Sequence, residues 1–355
     1  MKHLRRRAAW IACAGLVAGA AAVLLHAGTP VRGHAAPSYL WQLPPGFPLP
    51  SVPSNNTMSQ EKVALGRRLF YDTRLSITGR YSCASCHDPA RAFCDGRVRA
   101  IGASGARLQR NAPSLVNVAY AASLGWDQRN LRSLERQMLI PLFNDRPIEL
   151  GLRGHERAIE LLLAHDADLH REFVAAFPET NNSAEPVSIA NIVRAIAAFE
   201  RTLIYGDSPF DRYVFRGEHG ALSAAAKSGM AWFFSPRSGC SNCHSGLNFA
   251  GPWVDVSAPR ARAALASNDG RKRVFRIPSL RNVTLTAPYM HDGRYGTLDL
   301  VIDHYLRAGQ RKNRDRRIRP LTMSLQQRAD LLAFLASLAD SRFAVQNESR
   351  KLATD

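Results

Sequence analysis

Two five-residue motifs of identical spacing constrain this chain more than any other feature: Cys83-Ala84-Ser85-Cys86-His87 and Cys240-Ser241-Asn242-Cys243-His244. Two thiols one turn apart can each add to a vinyl group of a haem, and the imidazole that follows reaches the iron as axial ligand. A zinc site is the first competing reading, but the two pairs lie too far apart for a zinc ribbon, and zinc does not require His directly after each pair. A thioredoxin-type redox pair is the second, and the βαβ context it needs is missing. The motifs therefore predict two covalently bound haem c groups. Cys83, Cys86 and His87 hold one; Cys240, Cys243 and His244 hold the other. Of the six cysteines only Cys13 and Cys94 remain, so the even count is not read as a disulfide framework.

The first residues read as an export signal. Basic residues from Lys2 to Arg7 precede an apolar stretch from Ala8 to about Leu25, then small residues around Ala35. Residues 1–36 are assigned to this segment. Its apolar length approaches that of a membrane span, so an uncleaved anchor is the alternative to a cleaved signal. A lipoprotein role for Cys13 fits poorly, because the apolar run continues well beyond it. Covalent haem attachment belongs outside the bacterial cytoplasm, and the expected location is the periplasm. The formal charge is +18, from 47 Lys and Arg against 29 Asp and Glu. Lys2, Arg5, Arg6 and Arg7 lie in the export segment, and a dense basic run spans Arg311 to Arg319. We read no nucleic-acid partner from this. A basic surface either steers an acidic redox partner or is a solvated face.

Helical signals dominate the rest. Pro37 to Asn56 is an extended, Pro-rich lead-in. Ser59 caps a helix carrying Val63, Leu65, Leu69 and Phe70. Amphipathic helices are expected over Ala158 to Phe177 and Ser188 to Tyr205, the second with Ile189, Ile192, Val193, Ile196 and Phe199 on the helical period. Ser223 caps a helix ending near Pro236, Thr297 caps another stopped by Gly309, and a last helix spans about Leu325 to Leu338. Strand-like alternation is scarce. The expected fold is mainly α, with two c-type cytochrome-like haem domains, 37–205 and 206–345, long loops and little strand. The halves look like diverged copies of one haem-binding plan.

Longer stretches carry a family resemblance. Cys83 to Phe93, Arg110-Asn111-Ala112-Pro113-Ser114-Leu115, and Leu285-Thr286-Ala287-Pro288-Tyr289-Met290-His291-Asp292-Gly293 resemble the bacterial di-haem cytochrome c peroxidases, a family that includes MauG-like enzymes. The resemblance runs from about Leu40 to Leu338. It implies that His87 holds the peroxide-reactive iron and His244 the electron-relay iron. It implies a peroxide pocket with Gln137 and Glu149, although their separation is slightly longer than the family's. It places Trp126 between the haems, here followed by Asp127-Gln128-Arg129 where family members usually carry Gly-Arg. It also implies one calcium ion between the domains, held by the Asn111 side chain and the backbone carbonyls of Thr286 and Pro288; oxygen donors of this kind suit calcium.

Two departures matter. Peroxidases of the family carry a removable sixth-ligand His where this chain has Ala103, and no His lies between His87 and Asn111. The reactive haem is therefore expected to be open without a reductive switch. The relay haem's sixth ligand is Met in those peroxidases, whereas this chain has Tyr305, as in MauG-like members. A phenolate is a hard donor that favours the oxidised states, where a thioether raises the potential. His304 and Met290 are the alternative ligands, with His304 read as a surface helical residue. Three functions remain open. The first is reduction of hydrogen peroxide with electrons from a small periplasmic donor such as a cytochrome c or copper protein. The second is MauG-like oxidation of a partner protein. The third is plain electron transfer, against which Gln137, Glu149 and the missing sixth ligand argue.

Overall fold

Helix formation follows the capping signals closely. Ser59 accepts from the Lys62 amide and starts α1 (Gln60–Tyr71), which buries Leu65, Gly66, Leu69 and Phe70 on one face. The computed structural model describes residues 39–180, 185–251, 253–255, 274–308, 317–318 and 320–343. The export segment, Cys13, Gly309 and most of the Arg311–Arg319 run lie outside these residues. Nine α-helices are present among the described residues. They continue as α2 (Leu134–Phe143), α3 (Glu156–Ala164), α4 (Ala167–Ala176), α5 (Ile189–Arg201), α6 (Pro209–Phe215), α7 (Ala224–Phe234), α8 (Leu298–Ala308) and α9 (Leu325–Ala336). The only regular strand pairing among them is a short antiparallel ladder of β1 (Trp253–Asp255) with β2 (Val274–Arg276). None of the described helices is long and apolar enough to cross a membrane. The mainly α expectation agrees with this architecture.

Three helix boundaries differ from the sequence reading. The helix expected over Ala158 to Phe177 is two helices, α3 and α4. His165 Nδ1 donates back to the Leu161 carbonyl, and Asp166 accepts from the Leu169 amide, so one residue closes a helix and the next caps another. Helix α5 stops at Arg201 rather than Tyr205. Thr202 turns its hydroxyl onto the Phe199 carbonyl, and the following residues leave the helix to pair with Asn117. The last helix closes at Ala336, where Ser337 returns its hydroxyl to the Phe334 carbonyl.

The packing repeats itself in the two halves. Helix α1 packs against α5, and α7 against α9, each as the main helix pair of its half. Each pair crosses at a glycine. A Cβ on Gly66 would stand 1.9 Å from the Ala195 carbonyl oxygen, and a Cβ on Gly229 would stand 1.9 Å from that of Asp330. Only a residue without a side chain permits that approach. One core gathers Leu69, Phe70, Leu142, Phe173 and Ile196; the other gathers Phe210, Phe233, Phe249, Leu331 and Phe334. Near its end the chain returns to the first core, where Phe343 is fully buried and stacks on Tyr205 with ring centroids 4.6 Å apart.

Candidate active site

Each C-x-x-C-H segment folds as a short 3-10 turn, Cys83–Ser85 in one half and Cys240–Asn242 in the other. The turn closes by a bond from the histidine amide to the first cysteine's carbonyl, 3.0 Å for His87 and 2.9 Å for His244. Each imidazole is then held from behind. His87 Nδ1 lies 3.0 Å from the Phe93 carbonyl oxygen, and His244 Nδ1 lies 3.0 Å from that of Phe249. A carbonyl only accepts, so Nδ1 carries the proton in both rings and the Nε2 lone pair is left for a metal. Burial lowers the proton affinity of both rings, which keeps them neutral. Burial also pushes the Cys83 and Cys240 thiols up, and that of Cys86 up to about 12. This donor set fits a covalently attached haem in each half.

The anchoring carbonyls were not evident from the motifs alone. Phe93 and Phe249 both have left-handed backbones, φ 58° and 48°. Each turn is pinned by a serine: Ser114 donates to the Ala92 carbonyl at 2.6 Å and Ser279 to the Asn248 carbonyl at 2.7 Å. Those serines belong to a repeated stretch, Pro113-Ser114-Leu115-Val116-Asn117-Val118 and Pro278-Ser279-Leu280-Arg281-Asn282-Val283. Its asparagines do matching work. The Asn117 backbone N–H donates to the Leu203 carbonyl and that of Asn282 to the Leu338 carbonyl, at 2.8 and 3.0 Å. Their side-chain oxygens accept from the Tyr205 and Asp340 amides, both at 2.7 Å. That repeat was the sequence signal that could have found them.

Near Cys86 the first half carries an ionisable residue, Glu149. The Ile101 carbonyl faces Cys86 Sγ at 3.9 Å, and two residues on, the Ala103 amide donates to the Glu149 carbonyl at 2.6 Å. The Glu149 charge is felt at Cys86, which places the carboxylate within electrostatic reach of the attachment site. Burial raises the proton affinity of Glu149, with no cation among the described residues offsetting it. The connection to Gln137 runs through α2. Leu150 donates to the Pro141 carbonyl at 2.9 Å, and Gln137 lies one helical turn before Pro141. Gln137 on α2 and Glu149 are separated by the loop that follows Phe143. Gln137 is half-buried rather than exposed. Ala103 is buried and offers no donor.

The second half presents a different residue. Tyr305 lies on α8 beside the second cysteine pair: burial pushes its hydroxyl up to about 12, and Cys240 and Cys243 add to the rise. His304 is half-buried rather than at the surface, with Nδ1 3.0 Å from the Tyr295 hydroxyl. The Met290 backbone carbonyl accepts from the Asn111 side chain at 2.8 Å.

Between these sites runs a seam of hydrogen bonds. Trp126 Nε1 donates to the Asn111 carbonyl at 3.0 Å, the Asn111 amide to the His291 carbonyl at 3.3 Å, and the Arg276 amide to the Trp126 carbonyl at 2.8 Å. Asn111 Nδ2 also reaches the Pro288 carbonyl at 3.1 Å, while its Oδ1 is buried with no partner among the described residues. Exchanging amide oxygen and nitrogen would gather Oδ1 with two carbonyl oxygens, an arrangement only a cation stabilises. Thr286 does not join Asn111 by a hydrogen bond among the described residues; its hydroxyl returns to the Val283 carbonyl at 3.2 Å.

Comparison with known proteins agrees with this geometry. The di-haem cytochrome c peroxidase family, in its grouping with MauG, matches residues 60–220. The methylamine utilization protein MauG of Methylorubrum extorquens is 36% identical over 294 residues, covering 81% of this chain and 80% of that protein. The cytochrome-c peroxidase IdrP1 of Pseudomonas sp. is 35% identical over 340 residues, covering 84% and 86%. A solved structure described as a MauG-like protein associated with microbial copper homeostasis superposes with a TM-score of 0.78 at 37% identity, covering 86% of this chain and 97% of that one. The chain belongs to the di-haem cytochrome c peroxidase family, the oxidoreductase family that includes MauG and implies two haem c groups.

Proposed function

We propose that the chain reduces hydrogen peroxide to water on the His87 side, with electrons passed from the His244 side. The observation that carries this reading is the asymmetry of the two halves: a small buried Ala103 with Glu149 beside Cys86, against a tyrosine beside Cys240 and Cys243. When bound, the haems supply electron transfer and peroxide cleavage. The side chains do the rest. Glu149, as carboxylate, accepts a proton from the near peroxide oxygen and returns it to the far one, which leaves as water. Gln137 orients the peroxide beside it. Trp126, in the seam between the halves, carries electrons across. Asn111 with the Pro288 carbonyl, and with that of Thr286 as the family resemblance implies, holds one calcium ion. The domains are 37–205 and 206–345, the protein works in the periplasm, and a small cytochrome c or copper protein delivers the electrons.

Tyr305 favours a second reading, MauG-like oxidation of a partner protein, because it stands where the family's peroxidases carry Met. MauG and peroxidase names both occur among the relatives. Steady-state turnover of peroxide with a panel of reduced donor proteins tests the first reading. Consumption of peroxide with stoichiometric donor oxidation supports it. Peroxide consumption that oxidises no donor but modifies an added protein favours the second.

A further inference from the structure

The repeated packing sets a residue-by-residue correspondence between the halves. Gly66 meets Ala195 as Gly229 meets Asp330, and Asn117 meets Leu203 as Asn282 meets Leu338. Counting from either anchor, Glu200 at the end of α5 corresponds to Leu335 at the end of α9. Both are buried, at 6% and 7% exposure. Leu335 belongs to the second apolar core, against which Cys240 packs. Glu200 puts a carboxyl at the matching place, where its charge is felt at Cys83. Its Oε2 is buried without a hydrogen-bond partner among the described residues. The helix crossing does not require a carboxyl there, since a leucine serves in the other half. A buried carboxylate oxygen left without a partner is costly, and its presence calls for a use.

The charged surroundings of Glu200 are limited. Arg201 favours its ionised form, and Glu135 on α2 opposes it. Arg201 is itself paired with Glu135. On α1, Lys62 donates to the Thr57 carbonyl, Arg68 pairs with Asp166 and Glu172, and Glu61, Arg67 and Tyr71 are exposed. Arg136 on α2 is exposed, Arg194 on α5 donates to Asn191, and Tyr120 on the turn packed against α5 donates to the Pro48 carbonyl. Burial therefore dominates and pushes Glu200 up to about 8.

We propose that Glu200 is the proton acceptor coupled to reduction of the first haem. Each electron arriving from the donor is matched by one proton moving from solvent to the Glu200 carboxylate, and the proton leaves when the electron does. The charge argument is direct. A ferric haem carries one net positive charge that stabilises a neighbouring carboxylate; reduction cancels that charge and the buried carboxyl takes a proton. The proposal rests on the reading that the His87 half carries a haem, and Glu200 acts through that haem, as a positioning residue for charge.

The test is a redox titration of each haem across pH, followed by redox-difference infrared spectroscopy on the holoprotein. In the native protein the His87 haem should take up one proton per electron around neutral pH. A carboxylic C=O band should appear on reduction, shift in D2O and shift again on 13C-glutamate labelling. In Glu200→Gln and in Glu200→Leu, the residue of the other half, that band and its share of the pH dependence should vanish. A native protein with no glutamic C=O band on reduction overturns the proposal without any variant, and so does a band that survives in Glu200→Gln. Absence of covalent haem at Cys83 and Cys86, read from the mass of the haem-bound chain, overturns the haem reading itself and is thereby distinguished.

Discussion

A ligand histidine is oriented and its tautomer fixed by a bond at its far nitrogen, and both candidate histidines make that bond to a phenylalanine carbonyl. Residue chemistry then separates the halves. Glu149 must be ionised to accept a proton. Burial raises its proton affinity, so peroxide turnover should fall as pH drops through a value above the ordinary Glu range of 4.5, and a kcat/KM profile against pH checks this. Glu149→Gln should lower kcat/KM by about 10²–10⁴-fold, the usual worth of a positioned acid–base group, with that acid limb lost. Unchanged kinetics would remove Glu149 from the site. At the second iron, Tyr305→Met should raise the haem potential, since a thioether favours the reduced metal and a phenolate the oxidised one, and Tyr305→Phe should open the coordination position. Potentiometry with absorption spectra reads both. If neither variant alters the His244 haem, the ligand is another residue.

At the scale of elements, the fold rests on helix pairs that touch through glycine. Gly66→Ala and Gly229→Ala each drive a methyl into a backbone carbonyl, so each should cost about 1–3 kcal/mol. Gly296→Ala meets open space and should stay within about 0.5 kcal/mol of the native protein. Denaturant unfolding of the three variants compares them. Equal stability of all three would mean the pairs can separate without loss. The sequence revealed the haem motifs, the caps at Ser59 and Ser223, and the mainly helical class, because these are local signals. It did not reveal the glycine crossings or the break at His165 and Asp166. A close approach depends on the partner helix, and a helix break depends on side chains competing for backbone groups. Glu200 was invisible for a related reason: its oddity appears only beside Leu335.

Taken whole, the molecule repeats one packing plan in its two halves, and the proposed function gives the two copies different work. Replacing Cys240 and Cys243 with Ala should leave one covalent haem, counted by mass after acid–acetone extraction; two retained haems would contradict the attachment reading. The unequal division of labour is the central claim, and the ferric electron paramagnetic resonance spectrum of the oxidised protein as isolated tests it most directly. With Ala103 in place of a sixth ligand and Tyr305 beside the second cysteine pair, one high-spin and one low-spin haem should appear, and peroxide should react without prior reduction. Two low-spin haems, with a lag until an electron is added, would contradict it.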